Sequence, residues 1–158
     1  MRKTVLVATL LGAGFACLAG APAAALAHDE LQTIMPENPD ALAFQTQVGY
    51  SEAVIVDGMV YLSGVVAGPA PGETTMTPGF TRAFERIGKT LERAGSGWDD
   101  VVTFDTFHTD LAGQINEFVE VKNRYIKAPF PAWTALGVSS LYEPTAWVEI
   151  KIMARVSE

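Results

Sequence analysis

The sequence predicts an α+β domain, a mixed sheet with two helices packed on one face. Three observations carry this. Two β-rich runs, residues 53–56 and 59–63, flank Asp57-Gly58. Two stretches repeat apolar residues at helical spacing, Phe80, Phe84, Ile87 and Leu91 in one and Leu111, Ile115, Phe118, Val121 and Tyr125 in the other. Further β-rich segments stand at residues 101–108, 132–138 and 146–156. Strands interspersed with amphipathic helices in 158 residues suit one two-layer domain.

Residues 1–27 are set apart from that domain. Arg2 and Lys3 precede an apolar run, residues 5–16, too short for an ordinary membrane span. Small residues then lead to Ala25-Leu26-Ala27 and a polar turn at His28-Asp29-Glu30. This is the pattern of an exported protein's signal peptide, cleaved after Ala27. A membrane anchor and a lipoprotein signal around Cys17 are the alternatives, but Gly14-Phe15-Ala16 lacks the Leu that usually opens a lipoprotein box. Cleavage leaves 131 residues and removes Arg2, Lys3 and the only cysteine, so the net charge moves from −7 to −9. The expected location is periplasmic or secreted, with no membrane attachment after cleavage. An acidic chain also argues against binding a nucleic-acid backbone, which needs a basic stripe.

The elements follow in order. Residues 28–42, with two prolines and no periodicity, read as an exposed lead-in to a domain at 43–158. Phe44, Thr46 and Val48 alternate with Gln45 and Gln47, a half-buried strand pattern. Asp57-Gly58 tolerates positive φ and predicts a tight type I′ hairpin between the next two strands. Residues 67–77 are a Gly/Pro/Thr loop. Thr77-Pro78 opens a helix with Thr as cap and Pro at the first position. Its apolar face runs to Leu91, with Arg82, Arg86, Lys89 and Arg93 mostly turned away and Gly95 at the end. A strand at 101–108 precedes a helix capped by Asp110 and stopped by Pro129 and Pro131. Two final strands complete the order β-β-β-α-β-α-β-β.

Familiar nucleotide and nucleophile-elbow signatures are absent from the sequence. His28 and His108 cannot alone make a multi-histidine metal site. His28, as a new N-terminus, offers a copper chelate whose second ligand is unspecified. His108 reads as a strand-end residue rather than a base. Glu149 is more informative. It sits in a strongly β segment, where a carboxylate either faces solvent or lines a cleft. Lys151, next on the same strand face, favours the exposed reading. In a cleft, burial would raise the Glu149 pKa and suit it to handle a proton or water. Tyr50 is either a strand-edge aromatic or a phenol of a site, and Trp133 and Thr134 are equally interface or site.

Taken together, Gly49-Tyr50-Ser51-Glu52-Ala53, Val60-Tyr61-Leu62-Ser63-Gly64, Leu91-Glu92-Arg93-Ala94-Gly95, Asp99-Asp100-Val101-Val102, Thr109-Asp110, Tyr125, Pro131-Ala132 and Val148-Glu149-Ile150 resemble the Rid (YjgF) family in order and spacing. The resemblance spans about residues 43–156. It implies a compact α+β fold similar to chorismate mutase, assembled as a homotrimer with small-molecule clefts between subunits. It further implies hydrolysis of reactive enamines and imines to 2-oxo acids and ammonia, without metal or organic cofactor. The matching site positions are Tyr50, Ser63, Gly64, Phe118, Thr134 and Glu149, with Glu149 handling water.

Two departures bear on function. The family's deaminases carry Pro-Ala-Arg followed by Ser, Thr or Ala, whereas this chain has Pro131-Ala132-Trp133-Thr134. An indole cannot make the bidentate, charge-assisted pair that a guanidinium makes with a substrate carboxylate. Such a lost contact costs roughly 2–5 kcal/mol of binding. Trp133 would instead offer an aromatic wall. Where the family has Asn-Glu-x-Tyr, this chain has Lys122-Asn123-Arg124-Tyr125, so Lys122 is either a replacement cation or a solvated helix residue. The expectation is an exported, Rid-like trimer with altered imine or enamine preference. The alternative is a non-catalytic trimeric ligand-binding or interaction module.

Overall fold

The computed structural model describes residues 31–157. The expected signal segment, Cys17 and His28 lie outside the described residues.

Seven strands form one mixed sheet: β1 (Gln32–Ile34), β2 (Ala53–Val56), β3 (Met59–Leu62), β4 (Val65–Ala67), β5 (Val101–His108), β6 (Ala132–Gly137) and β7 (Val148–Arg155). Their order is β1-β2-β3-β7-β5-β6, with β4 also paired to β7. Among the described residues only β5 and β6 run parallel, and the helix between them makes the crossover such a pair requires. The β2–β3 hairpin turns at Asp57 and Gly58, both at positive φ, as the sequence predicts.

The helices are α1 (Pro39–Val48), α2 (Thr77–Arg93) and α3 (Leu111–Tyr125). In α2, Phe80, Phe84, Ile87 and Leu91 are all fully buried. They pack with Phe104 of β5, Phe118 of α3 and the inward residues of β7, Val148, Ile150, Ile152 and Ala154. Asp110 caps α3 by accepting the Gly113 N–H at 3.2 Å. Thr77 is not the cap of α2 but its first residue. Its hydroxyl donates to Glu117 of α3 at 2.7 Å, tying the two helices together.

Three expectations fail at the N-terminal side and after the hairpin. The segment expected as a strand around Phe44 is helix α1. The Asn38 side chain accepts the Asp40 and Ala41 N–H groups, both at 3.0 Å, and Pro39 stands in the first turn. Gly49 ends the helix at φ 88°. Phe44 and Val48 fall on one side of an alternating run through Thr46, but they are also i and i+4, and the caps decide between the periods. The expected lead-in holds β1, whose Thr33 faces Val54 across the ladder. The chain after Gly64 forms β4, three residues too short to show a period.

The sheet therefore has a covered face and an open one. Ile150 and Ile152 point into the helix-covered core, and Glu149, Lys151 and Met153 alternate onto the other face. There they join Tyr61, Val66, Phe107, Thr134 and Leu136, their ladder neighbours and outward-facing partners. Tyr61 and Leu136 are 41% and 50% exposed, so the open face is partly apolar.

Candidate functional site

Glu149 sits on the open face beside Gly64, in the short link between β3 and β4. A Cβ on Gly64 would lie 2.6 Å from the Glu149 Cδ and 2.9 Å from its Cγ. Only a residue without a side chain lets the carboxylate lie against this backbone. Neighbouring strands hold it there, since Glu149 pairs with Val66 of β4 and Phe107 of β5.

The carboxylate lines a cleft of about 480 Å³. Phe44 and Val48 of α1, Val66 and Tyr142 form apolar wall, and Tyr50, Ser63, Arg86 and Glu143 add polar groups. Ser63 is anchored twice. Its hydroxyl donates to the Ser51 carbonyl at 2.7 Å and its N–H to the Glu52 carbonyl at 2.9 Å. Four sequence-predicted site residues, Tyr50, Ser63, Gly64 and Glu149, are thus brought together.

A narrow niche of about 10 Å³ adjoins the cleft and shares Gln45, Tyr50, Ser63, Gly64 and Arg86 with it. That is about the size of one water. Glu52, also lining the niche, binds Arg93 at 2.8 Å and Arg86 more loosely at 3.5 Å. Gln45 is 2% exposed, and its Oε1 has no hydrogen-bond partner among the described residues. Sequence reasoning missed Gln45 and Arg86. Gln45 was hidden by the strand reading of α1. Arg86 directly precedes Ile87 and lies four residues before Thr90, at the border of the buried stripe. That border position was the available signal.

The remaining predicted residues do not join this cleft in a single chain. Trp133 faces the helix side, because its ladder partner Phe104 is core. Its Nε1–H donates to the Thr106 hydroxyl at 3.1 Å. Its ring lies 5.9 Å from Phe104 and 6.4 Å from Phe118. Phe118, expected as a cleft wall, is fully buried and backs Trp133 from the core. Lys122 stands over the indole, Nζ 4.8 Å from the ring centre, in a shallow groove of about 280 Å³ with Phe130 and Pro131. Burial pushes its amine pKa down. Thr134 points to the open face from edge strand β6, opposite Asp105.

His108 is fully buried and its Nε2 meets the same Thr106 hydroxyl at 3.0 Å. Burial pushes its pKa below the ordinary 6.5, and its Nδ1 has no hydrogen-bond partner among the described residues. Its ring meets Phe118 edge-on at 5.2 Å. A neutral, enclosed imidazole of this kind braces the strand. Among the described residues, no group of three or more His, Cys, Asp or Glu is placed to hold a metal ion.

Comparison with known proteins identifies the family and the fold. The model of the endoribonuclease L-PSP family matches residues 40–156, most of the chain. The chain belongs to the Rid (YjgF) family. A RutC family protein, YjgH of Escherichia coli, is 34% identical over 119 residues, 69% of this chain and 84% of the relative. Human 2-iminobutanoate/2-iminopropanoate deaminase is 30% identical over 110 residues, covering 66% of this chain and 78% of the enzyme. A crystal structure of a YjgF/YER057c/UK114 family member from Mycobacterium tuberculosis superposes with a TM-score of 0.68 at 25% identity, covering 80% of this chain and 99% of that one. The Rid fold, an α+β domain with a mixed sheet and α2 and α3 packed on one face, is therefore the fold of this chain.

Proposed function

We propose that this Rid protein hydrolyses imines or their enamine tautomers, releasing ammonia, with a substrate preference shifted away from small 2-imino acids. The observation that carries the proposal is the Glu149 carboxylate laid against Gly64 in a cleft shared with Tyr50 and Ser63. In the proposed step, Glu149 takes a proton from water as the oxygen adds to the C=N carbon. The nitrogen takes that proton, giving a carbinolamine; the carbinolamine hydroxyl proton then passes through Glu149 to the nitrogen as the C–N bond breaks, leaving a carbonyl and free ammonia. Water and imine are consumed, and carbonyl compound and ammonia are formed.

The shifted preference rests on Trp133. Its single N–H is already given to Thr106, so it offers a ligand only its ring. A small imino acid bound there would leave its carboxylate without a fixed guanidinium partner, which is unfavourable in a desolvated site. The relatives' deaminase names support the reaction class. The acidic net charge supports a small-molecule reading over the RNA cleavage that the family description mentions.

The complete site in this proposal lies between subunits of a homotrimer. The Glu149 cleft and the Trp133–Thr134 edge are separate in one chain, and the open, partly apolar sheet face is the surface a copy would cover. Export, with cleavage after Ala27, is proposed on the N-terminal pattern. A second reading, a binding module without chemistry, is favoured by the same engaged indole. Ammonia release from a panel of imines separates the two. Turnover of at least one imine supports the hydrolase, and none at all supports the module. Trp133→Arg should raise turnover of 2-iminobutanoate; no gain would remove the Trp133 argument.

A further inference from the structure

The Glu149 cleft carries a cation that the family resemblance does not assign. Arg86 rises from α2 into the same cleft as Glu149 and into the adjoining niche. Its side chain is half exposed, and its one ion pair among the described residues, to Glu52, is long at 3.5 Å. Glu52 is already held by Arg93 at 2.8 Å. A guanidinium has five N–H donors in a planar fork, and this loose pair leaves most of them for a ligand. Beside it, Gln45 is buried with an unpartnered Oε1. Glu143 and Glu149 place acidic groups in the same cleft, and Phe44, Val48, Val66 and Tyr142 supply apolar wall.

We infer that Arg86 holds the carboxylate of a dipolar ligand, an imino acid with an apolar side chain. The carboxylate sits on Arg86, and the protonated imine nitrogen faces the acidic groups. The apolar side chain lies against Phe44, Val48 and Tyr142. This deepens the hydrolase reading and rests on it for the role of Glu149. It also gives the shift in preference a direction. An anion held from α2 enters by a different cation than one gripped from β6, and the large apolar wall rewards a bulky side chain over a methyl or ethyl group.

The test measures binding apart from turnover. Phenylpyruvate, a stable 2-oxo acid, and phenylacetone, which replaces the carboxylate with a methyl group, are titrated by calorimetry into the full mature protein. The proteins are wild type, Arg86→Gln, Arg86→Lys and Lys89→Gln. Lys89 is exposed on the same helix, so its loss changes net charge equally. Wild type should prefer phenylpyruvate. Arg86→Gln should weaken phenylpyruvate binding by at least about tenfold, the scale of a charge-assisted hydrogen bond, and leave phenylacetone unchanged. Arg86→Lys, which keeps a cation opposite Glu52, should fall between, and Lys89→Gln should match wild type. The inference is overturned if Arg86→Gln binds phenylpyruvate as wild type does, if both ligands weaken equally, or if wild type binds neither. Ammonia release is scored separately on the imines. Arg86-dependent binding without ammonia release upholds the anion site and defeats the hydrolase reading. Ammonia release with Arg86-independent binding does the reverse.

Discussion

The Glu149 cleft and the Trp133 groove lie on opposite faces of one sheet, and they differ in how their polar groups are used. In the groove, the group nearest a ligand, the Trp133 N–H, is taken up, and what is left unpaired, the His108 Nδ1 and the Gln114 Oε1, is buried in the core. The Trp133 N–H goes to Thr106, whose hydroxyl also meets His108, and Phe118 closes the stack from the core. In the cleft, capacity is left over. Arg86 is loosely paired, the Gln45 Oε1 is unpartnered, and Glu149 rests against a glycine. The Thr106 hydroxyl ties the β6 indole to β5, while the cleft's spare polar groups line a space that a ligand can enter. The groove should therefore govern stability and the cleft activity.

The largest expected effect on the groove side is Phe118→Ala. Deleting a fully buried ring that touches Phe80, Phe84, Phe104 and His108 should cost about 3–5 kcal/mol, read from denaturant unfolding. A loss below about 1 kcal/mol would mean the groove does not carry the load assigned to it. On the cleft side, Gly64→Ala should separate the two functions. Its Cβ must displace the Glu149 carboxylate, which is the end of a flexible side chain, so turnover should drop about tenfold to a hundredfold. Stability should change by no more than about 1 kcal/mol. Equal damage to both would erase the contrast.

The smallest effect is a pH dependence. His108 has its pKa held below 6.5 in the folded chain by burial, so the unfolded chain binds more protons in the window beneath that value. Stability from this residue is complete above about pH 6.5 and declines as the pH falls through the window. His108→Gln should flatten that part of the stability profile. A profile unchanged by the substitution would assign the acid sensitivity elsewhere.

The two regions were unequally legible in the sequence. The groove's elements were clear because long periods repeat there. Phe80 to Leu91 marks α2, Asp110 caps α3, and β-rich runs mark β5 and β7. The cleft is built from shorter pieces. Helix α1 shows five residues that fit both periods, and its deciding cap, Asn38-Pro39, lay in a stretch read as lead-in. Strands β1 and β4 have three residues each, too few to alternate visibly. Glu149 and Tyr50 stand out by residue type, but Ser63, Gly64 and the grouping of all four come through family resemblance, since no spacing rule joins residues so far apart in the chain. Glu149's neighbour Lys151 even favoured a solvated reading. The register settles that both share one face, and only Glu149 meets Gly64. Trp133 had no sign of which face it would take until its pairing with Phe104 was known.

The most direct test is ammonia release from imines by wild type and Glu149→Gln, with unfolding measured on the same samples. The amide cannot accept a proton at neutral pH, and positioned acid–base groups contribute about 10²–10⁴-fold. The account predicts that Glu149→Gln loses turnover by about that factor while its stability stays within about 0.5 kcal/mol of wild type. A Glu149→Gln protein that releases ammonia as fast as wild type would contradict it.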